Sequence, residues 1–124
     1  MTTWYHFACR HSAESIDASG VLNPHPQPVL GGLPMTWFSL IREPRPAWVG
    51  MDRDRQTIVS CDRMEVCYQV VPEDVAKIAH WGDLKRDARF EDLLPGARKL
   101  DAARGARPGI WGVTSHPVRV VRAG

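Results

Sequence analysis

Residues 23–28 read NPHPQP, and no other stretch restricts the fold of this chain as strongly. Each proline fixes φ and removes a backbone donor, so alternating prolines form neither a helix nor the centre of a sheet. The stretch is expected to be a stiff extended loop close to polyproline II. It divides an opening strand–helix unit from the rest of the chain. GGLP, at residues 31–34, then turns the backbone.

In the opening unit, residues 3–8 (TWYHFA) are rich in aromatic residues and predict a strand. Alternation sets Trp4 and His6 on one face, Tyr5 and Phe7 on the other. Ser12 is the expected N-cap of the helix that follows, and Glu14 lies where negative charge suits the helix dipole. Gly20 supplies the left-handed residue at its end.

After the prolines, residues 35–40 (MTWFSL) predict a second strand. Residues 42–55 (REPRPAWVGMDRDR) form a long irregular segment, the kind of loop that often carries function. Residues 57–71 (TIVSCDRMEVCYQVV) predict one long strand bulged at Asp62 and Arg63, or a hairpin turning there. Pro72 and the acidic residues behind it open a helix with Val75, Ile78, Ala79 and Trp81 on its apolar side. A further short helix is expected around residues 90–94, then a loop to residue 108. GIWGVTS and VRVV close the chain as two short strands.

This order predicts one small α+β domain over residues 1–124, with a split, mostly antiparallel sheet and short helices. The regular alternation of a doubly wound sheet is missing. So are GxGxxG and GxxxxGK[ST], the usual phosphate cradles. A net charge of +2 leaves no broad footprint for duplex DNA. The basic residues are 13 Arg and 3 Lys, and a guanidinium grips phosphate in a planar fork where an ammonium does not. Five tryptophans offer stacking faces for a ligand cleft. Cys9, Cys61 and Cys67 cannot all pair with one another. No apolar run reaches the roughly 18 residues of a membrane span, and no signal peptide opens the chain. The expectation is a cytoplasmic protein with reduced thiols and no membrane association.

Zinc would have to use Cys9, His11, Cys61 and Cys67. No CxxC knuckle is present, and six residues of strand separate the last two thiols by about 20 Å, so no metal is expected. A Cys-His hydrolase would rest on Cys9 beside His6 and His11, and a serine hydrolase lacks its GxSxG elbow.

Tyr5-His6-Phe7, then ESIDASGVL, then MTWFSL together resemble the opening of the ADP-ribosyltransferase superfamily. The pattern is also similar to that of its DNA-targeting toxins and of the RNA 2′-phosphotransferases. The resemblance covers roughly the first third of the chain. It implies a split sheet whose cleft binds NAD as a substrate. In that family the first-strand histidine holds the nicotinamide ribose, the place of His6 beside Tyr5. An aromatic residue on the second strand stacks on the nicotinamide, a place taken by Trp37 or Phe38. Ser39 matches the small hydroxyl residue that follows. The family also carries a carboxylate near the start of a late strand. RPGIWGVTS holds none, so Glu65 is the candidate, with Asp62 behind it.

Breaking the glycosidic bond of NAD builds oxocarbenium-like charge, which a carboxylate stabilises. Histidine is expected to donate to a ribose hydroxyl, and Arg10 and then Arg63 to hold the pyrophosphate. The acceptor of ADP-ribose would be a protein or a nucleic acid. Stand-alone domains of this kind suit toxins or phage proteins that modify a host factor. The rival expectation is a non-catalytic module that attaches to a protein partner through Trp48, Trp81 and Trp111, since Trp and Arg are favoured at interface hot spots.

Overall fold

The computed structural model describes residues 2–50 and 62–124. Its elements run β1 (Tyr5–Ala8), α1 (Arg10–Ser19), β2 (Val21–Leu22), β3 (His25–Gln27), β4 (Leu33–Ser39), β5 (Val66–Val70), β6 (Ala79–His80), α2 (Trp81–Lys85), α3 (Leu94–Asp101), β7 (Trp111–Thr114) and β8 (Val118–Arg122). The sheet order is β2-β8-β5-β1-β4-β7-β6, with β3 added on β4. Every pairing is antiparallel. The expected α+β domain with an antiparallel sheet and short helices is therefore present.

The alternation read from the first strand holds. His6 stands opposite Tyr68 and Ala8 opposite Val66, on the face that also buries Trp4 and Phe38. That face packs under α1 through Ala13 and Ile16. The opposite face carries a second core of Met35, Trp81, Phe90, Trp111 and Val113, with Trp37 against it. Gly20 closes α1 at φ 70° as expected. The helix starts earlier than expected, however. Its N-cap is Cys9, not Ser12, and Ser12 lies inside the first turn.

The proline stretch settles as a short edge strand. Pro26 stands opposite Pro34, so neither residue is asked for a donor that it lacks. Residues 51–61 lie outside the described residues, so the choice between a bulge and a hairpin does too. Residues 62–65 form a turn, with Glu65 N donating to Asp62 O at 3.2 Å.

Two expectations fail further on. The helix from Pro72 is a 3₁₀ turn, Pro72–Lys77, and Ile78 then leaves it with extended backbone. The chain needs that extension because Ala79 and His80 pair with Val113 and Gly112. Conversely, α3 occupies a stretch read as loop. Pro95 sits in its first turn, where the missing donor costs nothing. Gly96 lies against the turn Pro28–Leu30, and a Cβ there would meet the Val29 carbonyl oxygen at 1.9 Å.

Asp74 ties the 3₁₀ turn to β8. The side chain is 3% exposed and accepts from Arg119 N at 2.7 Å, Arg119 Nε and Nη2 at 3.1 Å, and faces Lys77 at 3.2 Å. The Arg119 guanidinium holds the carboxyl well below the usual carboxylate range, with the Arg119 backbone donor assisting. A depressed folded value means that this stabilisation is complete above the unfolded pKa and is lost as pH falls below it. Asp74→Asn should cost roughly 3 kcal/mol near neutral pH. In urea titrations that difference should shrink steadily below about pH 4; a difference constant from pH 7 to 2.5 would contradict the ion pair.

Gly96→Ala should destabilise by about 3 kcal/mol, because the contact is with backbone and cannot be relieved by a rotamer change. Gly82→Ala on α2, where a Cβ meets nothing within 4 Å, should hold or raise the melting temperature. Equal effects in calorimetry would show that α3 is not seated on the Val29 carbonyl.

Candidate functional site

The pairing of β1 with β4 consists of one residue pair, Tyr5 opposite Ser39. β3 covers the other end of β4, at residues 33–35. Residues 36–38 are therefore paired only with β7. The His6 ring occupies the opening this leaves. Its Nδ1 lies 2.8 Å from the Trp37 carbonyl oxygen, and its ring is tilted against Phe38 at 5.7 Å.

A carbonyl only accepts, so Nδ1 carries the proton and donates. Burial lowers the His6 pKa, the Trp37 carbonyl opposes this, and the charge of nearby His25 lowers it further. With the net shift downward, the ring is neutral at pH 7. Nε2 then presents a lone pair and has no hydrogen-bond partner among the described residues. His6 is consequently an acceptor at this opening, and not the donor to a ribose hydroxyl expected from the sequence.

Thr36 shares the face of Phe38 by strand alternation. It is 5% exposed, and its Oγ1 has no hydrogen-bond partner among the described residues. Buried hydroxyls are nearly always satisfied, so the Thr36 hydroxyl, sealed from solvent and without a partner among the described residues, is a local cost to the fold. Sequence reasoning passed over Thr36. The available signal was a hydroxyl at an inward position between Met35 and Trp37.

The two candidate aromatic residues part company. Phe38 is 3% exposed and stays beside His6. Trp37 points to the other face, against Trp81 at 4.9 Å and Trp111 at 5.7 Å, and its Nε1 donates to Gln27 Oε1 at 3.2 Å. Ser39 is buried and engaged with Ile41, donating to its carbonyl at 2.8 Å and accepting from its N–H at 2.9 Å. Tyr5, half-buried, pairs with Ser39 and Gln69 and so belongs to the face opposite His6. Arg10 is exposed at the first position of α1.

Glu65 is not on a strand. It is exposed and lies at a bend before β5 begins at Val66. It is three residues from Tyr68, the partner of His6, or about 10 Å along the chain. Asp62 accepts from Met64 N at 2.8 Å, a side-chain turn just ahead of β5. Arg63 is exposed in that turn. The structure thus brings His6 and Phe38 together and leaves Glu65, Asp62 and Arg63 apart from them.

On Tyr5's face, Phe7, Arg42, Glu43, Pro44, Met64 and Cys67 line a shallow recess of about 350 Å³. Burial pushes the Cys67 thiol up, away from thiolate character. No three His, Cys, Asp or Glu residues are placed to hold a metal among the described residues, and Cys61 lies outside them. Among the described residues, no helix is long and apolar enough to cross a membrane. Of the three tryptophans expected at a partner interface, Trp81 is 0% and Trp111 5% exposed; both are core, and Trp48 alone is half-buried.

No family model, no curated protein and no solved structure matches the chain.

Nitrogen NMR of the His6 ring should give an Nδ1–H tautomer at pH 7, with titration below the ordinary histidine value. The folded value is depressed, so stability attributable to His6 is complete above the unfolded pKa of 6.5 and declines as pH falls through it. An Nε2–H tautomer would reverse the acceptor assignment.

Proposed function

We propose that the chain binds NAD at the opening beside residues 36–38 and acts as an ADP-ribosyltransferase-like protein. The observation that carries this reading is the His6 ring, fixed by Nδ1 on the Trp37 carbonyl with Nε2 lacking a partner among the described residues. A neutral, oriented acceptor suits a ribose hydroxyl, which donates to it. Phe38 gives the His6 ring an apolar backing. Arg10 stands at the exposed start of the helix that follows β1, where a guanidinium can meet the pyrophosphate.

Transfer of ADP-ribose to a protein or nucleic-acid acceptor is the further part of the proposal. It asks for a carboxylate at the ribose. No carboxylate hydrogen-bonds His6, Thr36 or Trp37 among the described residues. The proposal assigns the role to Glu65, which lies apart from His6 here, so the turn ahead of β5 would have to shift to bring it to the ribose. Binding is therefore the half that the geometry supports better.

Calorimetry with NAD and an assay of nicotinamide release separate the halves. His6→Ala should abolish saturable binding. Thr36→Val should leave binding intact while raising stability by about 1 kcal/mol, because it removes a buried hydroxyl that has no partner among the described residues. Glu65→Gln should leave binding intact and stop nicotinamide release. Binding that survives His6→Ala would place NAD elsewhere or nowhere, and release that survives Glu65→Gln would remove Glu65 from the chemistry.

A further inference from the structure

A second surface stands on residues that the nucleotide site does not use. Pro46–Val49 form a 3₁₀ turn that carries Trp48, and residues 103–107 fold against it. Arg107 N donates to Trp48 O at 3.0 Å, and Trp111 Nε1 donates to the same oxygen at 2.7 Å. A Cβ on Gly105 would come within 3.0 Å of Ala47 Cβ, so the two segments touch. This frame lays the Arg107 guanidinium over the Trp48 indole, 3.9 Å from its centroid, with Arg45 at 6.0 Å.

Stacking occupies the face of a guanidinium and leaves its N–H edge open. Arg107 and Arg45 are both exposed, and neither makes an ion pair among the described residues. Arg104, also exposed, lies on the same turn. The one acid between residues 98 and 107 is Asp101. It is turned inward, accepting from Trp81 Nε1 at 2.7 Å and paired with Lys85. The segment from Arg98 to Arg107 therefore presents cations whose neighbouring acid is already consumed.

We propose that the surface formed by Arg45, Trp48, Arg104 and Arg107 binds single-stranded nucleic acid through its phosphates. Planar forks match phosphate oxygens in pairs. Separate exposed cations gain useful affinity from a ligand that carries a phosphate at every step. The exposed Arg107 guanidinium, stacked on the Trp48 indole, offers its outer face to a base, which an acidic polypeptide would not exploit. The inference is independent of NAD binding, and its failure leaves the His6 site untouched.

The test is fluorescence anisotropy with a labelled oligodeoxythymidylate of 20 nucleotides, across a range of salt concentrations. Binding should weaken with salt at a log–log slope of about −2, from about three phosphate contacts at 0.7 each. Arg107→Ala should weaken binding roughly tenfold and flatten the slope by about 0.7. Arg107→Lys should behave nearly as poorly, because charge is kept while the fork and the stack are lost. Arg45→Ala supplies a parallel loss from a residue outside the 103–107 turn, so a folding defect in the first variant does not decide the matter. Three results would overturn the proposal: no binding at low salt, binding unchanged in both alanine variants, or equal competition by polyglutamate of matched charge. The last would assign the surface to acidic proteins.

Discussion

Both faces of β4 are buried, and its seven residues pair with three other strands. Phe38 faces the core under α1, while Met35 and Trp37 face the core under α2 and α3. A slip of one residue in this strand would exchange the two sets and empty both cores at once. Its register is therefore fixed from both sides, and the positions of Thr36 and of the Trp37 carbonyl are fixed with it. The opening beside His6 exists because β1 and β3 each stop short along the same rigid strand.

The sequence was most legible where structure is local. Period-two alternation placed Trp4 and His6 opposite Tyr5 and Phe7, and the left-handed Gly20 marked the end of α1 before any contact was known. The stretch at residues 94–101 was illegible for a physical reason. A Pro-Gly pair is ordinarily turn chemistry, yet the proline falls where a helix tolerates it and the glycine answers a distant carbonyl, that of Val29. Residues 78–80 misled in the opposite direction, since their spacing suits a helix while pairing with β7 draws them straight.

The candidate site divides the same way. His6 could be singled out from its place in the first strand. Its tautomer could not, because that depends on a carbonyl 31 residues away in sequence. Glu65 reads as strand from its β-branched and aromatic neighbours, but the Asp62 side chain turns the backbone just ahead of it. Trp81 and Trp111 flank loops in the sequence, and only the tertiary fold turns them inward, where Asp101 and the Trp48 carbonyl take their indole donors.

The rims of the sheet have a consequence for how this molecule meets others. The outermost strands, β2 and β6, are two residues each, and β3 is three residues with Pro26 at its middle. Long unpaired edges invite another chain to continue the ladder, and these edges are too short or lack the donor to do so. Among the described residues, the protein offers little backbone for strand addition. What these rims present to a neighbouring molecule is therefore side chains and not an open ladder of backbone donors and acceptors.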